Sequence, residues 1–307
     1  MLSNVVAGQK IHEQYGGVVP ELASRAHEKH IVPLIAETLS KANITKEELS
    51  AIAFTAGPGL IGSLMVGCSF AKAMALALNI PLITVNHMQA HILAHFIDEP
   101  KPAFPFLCLT VSGGHTQLVK VTDYFSHEVI GKTIDDAAGE AFDKAAKILG
   151  LPYPGGPLID KYAQAGQATK FEFPVSNMAN LDYSFSGLKT SILYFVRDRV
   201  AENPNFVEDN LADLCASIQH AIIKQLMKKL VLAAKQTNIK HVALAGGVSA
   251  NSGLRHALEL EGKKRNWKTF IPDFQYCTDN AGMIAIAAHY KFLEEDFATQ
   301  QAAPYAR

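Results

Sequence analysis

The sequence predicts an α/β fold built on parallel strands and organised as one or two lobes. Three observations lead there. Residues 81–96 (PLITVNHMQAHILAHF) begin as a short apolar, β-branched strand and turn at Asn86, a good N-cap, into a helix. Two more stretches repeat that layout through glycine turns. Residues 51–55 (AIAFT) run through Ala56-Gly57-Pro58-Gly59 into a small-residue helix, and residues 240–244 run into Ala245-Gly246-Gly247-Val248-Ser249-Ala250-Asn251. Finally, the chain has 307 residues, 49% of them hydrophobic, which suffices for a sizeable core.

The helix after Asn86 carries His87, His91 and His95. Residues four apart share a helical face, so His87 and His91 aim at one point. Open α/β sheets place ligands beyond the carboxyl ends of their strands, which is where this helix begins. Metal ligation is one reading of the pair, and two structural histidines on an amphipathic helix is the other. His95 lies a turn further on, off that axis, and reads as a supporting or structural residue. The pattern is not H-E-x-x-H: Met88 follows His87, so the glutamate base of a zinc protease is missing.

Charge excludes one class of surface. Lys and Arg number 28 against 29 Asp and Glu, a formal net charge of −1, so a globally basic nucleic-acid surface is absent, although a local basic patch is allowed. Four scattered cysteines (Cys68, Cys108, Cys215, Cys277) form no C-x-x-C pair. They fit a reducing cytoplasm and argue against a disulfide framework or a thiolate zinc site. No segment reads as the roughly 18 consecutive apolar residues of a membrane span, and no secretory leader is visible.

Taken in order, residues 1–20 read as a strand end followed by a Gly16-Gly17 turn. Residues 21–39 read as a helix, with Pro33 predicting a break near His30 and with His27 and His30 solvated or capping. Thr45 and Glu48 have capping-box spacing. The turn Ala56–Gly59 is either an anion cradle or a tight turn for close helix packing; it is no Walker A sequence. Residues 104–120 read as two strands joined by Ser112-Gly113-Gly114-His115, a hairpin tip that could also clasp phosphate. Residues 132–149 read as one helix with Asp136, Glu140 and Asp143 on a face, an acidic stripe open to solvation or to a ligand. A rigid turn, Tyr153-Pro154-Gly155-Gly156-Pro157, leads to a helix bearing Asp160, a carboxylate suited to a ribose hydroxyl. Helices follow at 188–200 and about 211–236. Thr278-Asp279-Asn280 caps a last small-residue helix, with Asp279 by default a cap.

Nine stretches then occur in one order: VVPELASRAH, TAGPGL, HMQAH, SGGHTQL, DDAAGEAFDK, YPGGP, SFSGLK, AGGVSAN and CTDNAGMIA. In combination the chain resembles the TsaD family over nearly its whole length. These are threonylcarbamoyl transferases that modify adenosine beside the tRNA anticodon, formerly called glycoproteases. The resemblance implies the actin-like, sugar-kinase-like and Hsp70-like ATPase fold, two α/β lobes with a nucleotide between them. Residues 1–105, completed by about 290–307, would form one lobe and 106–289 the other. It further implies one iron(II) ion per subunit on His87, His91 and Asp279. Substrate contacts would come from Thr110, Val111, Ser112, Gly113, Gly114, Asp143, Gly156, Asp160 and Asn251, and no residue is required as a covalent nucleophile.

The implied reaction moves a threonylcarbamoyl group from threonylcarbamoyl-AMP to N6 of adenosine 37 in tRNAs reading codons that begin with A. The implied partners are tRNA, the inactive paralogue TsaB and the small ATPase TsaE, with no membrane, in the cytoplasm. The family opens with a strand of the form GIETSCDET. This chain starts after that point, and an unpaired sheet edge is the expected consequence. Two other functions compete. A metallopeptidase needs a general base beside the metal, which neither Met88 nor Gln89 can supply. A non-catalytic scaffold would be expected to lose the metal ligands, and all three are kept.

Overall fold

The computed structural model describes residues 1–306, which divide into two units. One comprises Met1–Lys101 with the residues from Asp279 onward, the other Pro102–Thr278.

The first unit is organised around a β-α-β crossover. Strand β1 (Ile52–Gly57) pairs in parallel with β2 (Leu82–Asn86), in register from Ile52↔Leu82 to Thr55↔Val85. Helix α1 (Pro20–Ala42) precedes the crossover, and α2 (Ile61–Leu78) connects the two strands. Both helices end on asparagines in the left-handed conformation, Asn43 and Asn79 (φ 53° each), the position glycine more often fills. Phe54, Ala56, Cys68, Ala71, Ala75 and Leu82 form the core between the strands and α2. Strand β2 leads directly into α3 (His87–Leu93). The last helix, α11 (Ala281–Leu293), packs on β2 and α3. The following segment adds an antiparallel bridge, Ala298 to Leu82, and a backbone bond from Tyr305 N to Ala56 O at 2.8 Å.

The second unit holds a five-stranded sheet in the order β5-β4-β3-β6-β7. Strands β3 (Phe106–Val111), β4 (Thr116–Val121) and β5 (His127–Lys132) form an antiparallel meander; β6 (His241–Ala245) and β7 (Lys268–Phe270) extend β3 in parallel. Every residue of β3 is buried, as its continuous FLCLTV run requires of a central strand. Helices α4 (Ala138–Ile148), α5 (Gly155–Ala163), α6 (Ser186–Glu202), α7 (Phe206–Asp209), α8 (Leu211–Thr237), α9 (Ser252–Arg265) and α10 (Phe274–Cys277) complete the unit. The core joins Leu107, Leu109 and Leu118 of the sheet to Phe142, Leu214 and Ile218 of the helices.

Five sequence expectations need correction. The boundary between units falls at 278/279, not 289/290, because α11 packs on β2 and α3 of the first unit; the other lies at 101/102. Helix α1 runs through Pro33 without a break: a proline costs one ladder bond, and packing of α1 on α2 outweighs that loss. The first twenty residues contain a 3-10 turn, Lys10–Tyr15, and no strand. The helix expected from 132 begins at Ala138, because Lys132 ends β5, where its N–H donates to Asp182 Oδ1 at 3.0 Å and its carbonyl accepts from Tyr183 N at 3.0 Å. Lastly, α2 is long and apolar enough, by length and composition, to cross a membrane. Its Cys68, Ala71 and Ala75 are buried in the first unit, while Ile61, Met65 and Leu76 are exposed.

Candidate metal centre and substrate loops

In the first unit the sequence of β2 and α3 places the two histidines. Asn86 Oδ1 accepts from the N–H groups of Met88 (2.9 Å) and Gln89 (3.0 Å), which fixes the helix start. Its amide nitrogen donates to Tyr305 Oη at 2.8 Å, and that hydroxyl donates to Gly57 O at 3.2 Å. The cap is thus tied to the end of β1. Gly57 has no room for a side chain, since a Cβ there would overlap Tyr305. The turn Ala56–Gly59 is therefore closely packed, but against the carboxyl-terminal segment and not a helix: Gly59 N also donates to Ala306 O at 3.2 Å.

His87 and His91 stand one turn apart with ring centroids 4.8 Å from each other. Both Nε2 atoms face a single oxygen, Asp279 Oδ1, at 3.3 Å and 3.2 Å. Asp279 was expected by default to cap the last helix. The cap is instead Asn280, whose Oδ1 accepts from Met283 N at 3.0 Å, so the neighbouring carboxylate is free to turn toward the imidazoles. Surrounding protein works against its charge, but hydrogen bonds from His87 and His91 and their electrostatic attraction prevail. Its carboxyl is held well below the usual carboxylate range. His91 is buried, and its Nδ1 has no hydrogen-bond partner. His95 is also buried, in the turn after α3.

The three ligand atoms lie within 4.8 Å of one another, and no other such trio occurs among the described residues. Two imidazole nitrogens and one carboxylate, with the rest of the coordination sphere open, match the donor set of a facial triad. These residues fit a divalent transition metal.

The remaining candidates lie in the second unit. Ser112–His115 forms a tight hairpin: Ser112 N donates to His115 O at 2.8 Å, and His115 N donates to Ser112 Oγ at 3.1 Å. Gly113 and Gly114 at its tip are exposed, and a Cβ on either would meet nothing within 4 Å. Thr110 and Val111 are fully buried strand residues, so only the chain end beyond them is open to a ligand. The turn after β6 comes against β3: Gly246 has φ +83°, and a Cβ there would lie 2.5 Å from Val111 O.

The other predicted contacts are engaged within the protein. Asp143 Oδ1 accepts from Gly155 N (2.8 Å) and Gly156 N (3.0 Å) and so caps α5. Asp160 accepts from Ser252 N (2.9 Å) and Ser252 Oγ (2.7 Å). Asn251 caps α9 by accepting from Leu254 N at 2.9 Å, and it donates to Gln219 Oε1 at 2.7 Å. The acidic stripe is not simply solvated, since Lys144 pairs with Asp136 (2.7 Å) and Glu140 (2.9 Å).

Two residues were not singled out from sequence. Asp135 accepts from Ser184 Oγ (2.5 Å), Phe185 N (2.7 Å) and Ser186 Oγ (2.8 Å), anchoring the start of α6. Burial opposes its charge, but these bonds hold its carboxyl below the ordinary value. Arg255 donates to Ser249 O (2.7 Å), Pro272 O (2.8 Å) and Cys277 Sγ (3.1 Å), with its guanidinium 3.9 Å from the Phe274 ring centre. The DDAAGE and SFS runs hinted at the first; nothing in α9 signalled the second.

Fold and site together define an α/β protein of the actin-like fold whose first unit carries a two-histidine, one-carboxylate centre. Among solved structures, HypF of T. kodakarensis matches with a TM-score of 0.61 at 15% identity, over 90% of this chain and 45% of that one. Component A of Acidaminococcus fermentans (R)-2-hydroxyglutaryl-CoA dehydratase matches with a TM-score of 0.51 at 15% identity, covering 86% of this chain and 84% of its own. At that identity the likeness concerns the fold. A family model described as TsaD, tRNA N6-adenosine threonylcarbamoyltransferase, matches residues 1–286. Curated proteins with that same description are 65% identical in Christiangramia forsetii (97% of this chain, 88% of the relative) and 58% identical in Cytophaga hutchinsonii (100% and 90%). The chain belongs to the TsaD family.

Proposed function

We infer that this protein is a tRNA N6-adenosine threonylcarbamoyltransferase. It transfers the threonylcarbamoyl group of threonylcarbamoyl-AMP to N6 of adenosine 37 in tRNAs reading codons that begin with A. The observation that carries this reading is membership of the TsaD family across residues 1–286, with all three candidate metal ligands present.

The chemistry asks for an activated acyl carbon and for no covalent enzyme intermediate. The N6 amine attacks the carbamoyl carbon, the bond from that carbon to the phosphate oxygen breaks, AMP leaves with the electron pair, and the amine loses a proton. Because N6 is a weak nucleophile, preorganised donors at the carbonyl or phosphate oxygens supply most of the acceleration. Gly113 and Gly114 offer backbone N–H groups at the exposed tip of the hairpin, and Ser112 adds a hydroxyl beside them, donors suited to such oxygens. His87, His91 and Asp279 would hold one iron(II) ion, which when bound would supply Lewis acidity toward phosphate or carbonyl oxygens without redox change. Asn86 orients the two imidazoles by fixing where α3 begins.

Proteins of the TsaB and TsaE kind are the expected partners, in the cytoplasm. A protein partner is supported by the exposed Ile61, Met65 and Leu76 on α2. The test is direct. Purified chain with iron(II), an unmodified tRNA transcript, threonylcarbamoyl-AMP and the partner proteins is digested to nucleosides and analysed by mass spectrometry. Accumulation of the threonylcarbamoylated nucleoside, dependent on this chain, is expected. Its absence, with chelator-sensitive cleavage of a glycoprotein instead, would replace this function with a metallopeptidase.

A further inference from the structure

We propose that the surface at the amino-terminal ends of β6 and β7 is a docking surface for the phosphate backbone of tRNA, an inference that rests on the tRNA-modifying function above. Four chain segments bring cations to this surface. Helix α8 carries Lys235 in its last turn, and Lys240 stands just before β6. Helix α9 ends in Lys263, Lys264 and Arg265, and β7 opens on Lys268. The sheet itself gathers them: β6 and β7 are parallel with His241 opposite Lys268, and Lys268 N donates to Lys240 O at 2.9 Å. All six cations are exposed.

The local balance differs from that of the chain, whose net charge is −1. Between Lys235 and Lys268 the only acids are Glu259 and Glu261. Glu261 is taken by Lys264 (3.8 Å) and Arg265 (2.5 Å). Among the described residues, Lys235, Lys240, Lys263 and Lys268 take part in no ion pair. Favourable placement at helix carboxyl termini accounts for Lys235 and Lys263. It does not account for Lys240 and Lys268, which sit at strand starts, where the backbone dipole is small. Like charges on adjacent strands repel, and a polyanion laid across this surface removes that repulsion.

The position selects the kind of anion. The opposite end of β6 runs into the Gly246 turn, which packs on Val111 directly before the Ser112–Gly114 hairpin. Five strand residues span about 17 Å. A mononucleotide at the hairpin cannot reach the lysines, whereas an RNA stem presents phosphates over a longer distance. Each phosphate neutralised contributes about 0.7 to 0.9 to the slope of log K against log salt. Four lysines therefore correspond to a slope of about 3.

The experiment compares the full chain with a variant carrying Lys235→Gln, Lys240→Gln, Lys263→Gln and Lys268→Gln, using fluorescein-labelled tRNA and anisotropy across a range of KCl concentrations. The expected result is a slope smaller by about 3 and an affinity at least about tenfold weaker at moderate salt. The melting temperature and the affinity for threonylcarbamoyl-AMP should stay unchanged. A Lys→Arg version at the same four positions should keep both slope and affinity. Should the fourfold variant melt early, the two pairwise variants (235 with 240, 263 with 268) carry the test, each expected to lose about half the slope difference. An unchanged slope and affinity in the fourfold variant, with a wild type that does modify tRNA, overturns the docking surface and leaves the function standing. So does loss of an acidic protein partner with tRNA binding intact. If the wild type neither binds nor modifies tRNA, both fall.

Discussion

Replacing Gly113 by alanine separates a glycine that the fold needs from one that a ligand needs. Glycine is retained for a positive φ, for lack of room, or for the close approach of something else. The first two reasons are absent at this position: Gly113 is not among the positive-φ glycines, and an added Cβ would meet nothing within 4 Å. An exposed methyl that touches nothing changes stability by no more than about 0.5 kcal/mol, and the reduced freedom of the unfolded chain works slightly in its favour. Gly139 provides the contrast. Its N–H donates to Ser112 O at 3.2 Å, and a Cβ there would lie 2.6 Å from that oxygen. Overpacking and the lost bond together predict about 2–4 kcal/mol of destabilisation for Gly139→Ala. Urea unfolding of both variants, paired with calorimetric titration of threonylcarbamoyl-AMP or a stable analogue, reads the difference. Gly113→Ala should unfold like the wild type yet bind at least about tenfold more weakly, a loss of roughly 1.4 kcal/mol. Wild-type affinity in Gly113→Ala would show that no ligand approaches that backbone, and the hairpin would cease to be a substrate clasp.

Three further outcomes follow from the same geometry. Asp279→Ala should keep the fold, because Asn280 and not Asp279 caps α11, and should abolish stoichiometric iron or zinc binding measured by metal analysis after anaerobic reconstitution; full metal content would remove Asp279 from the ligand set. His91→Ala should lose threonylcarbamoyl transfer together with metal, and normal adenylate binding in that inactive variant would show that the metal does more than position the substrate. Asp135 gives a pH test: its folded carboxyl lies below the unfolded value of about 3.9. Its stabilisation is therefore complete above that pH and is lost as pH falls through the folded value. Asp135→Asn should cost about 1 kcal/mol at pH 7 after allowance for solvent screening, and the difference in melting temperature from the wild type should shrink on acidification below about 4; a gap constant with pH would remove the charge from the explanation.

What the sequence revealed depended on how local the cause was. The start of α3 was legible because Asn86, His87 and His91 sit within six residues, and a cap plus a four-residue spacing is a purely local instruction. That Asp279 meets those histidines was not legible from spacing, since 188 residues separate it from His91; it came from family resemblance, and the coordinates give the local reason, a cap handed to the next residue. The short strands β5 and β7 were missed because partly exposed three- to six-residue runs such as HEVIGK and KTF carry little periodic signal and are ordered by their neighbours in the sheet.

The same distinction bears on Asp143, Asp160 and Asn251. Sequence alone placed acids and amides near glycine turns, where a nucleotide site and a well-capped helix use the same residue types. In the folded chain each of the three is occupied: Asp143 by two backbone N–H groups, Asp160 by Ser252, Asn251 by Leu254 and Gln219. A carboxylate with one oxygen on two amides still has lone pairs on the other, so Asp143 can serve a cap and a ligand together. Asp160 has both oxygens engaged and would have to release Ser252 first. Any substrate contact within this group is therefore better supported at Asp143 than at Asp160. Asp143→Asn and Asp160→Asn should accordingly differ, the first weakening threonylcarbamoyl-AMP binding more than the second at matched melting temperature, and equal effects would place neither carboxylate against the ligand.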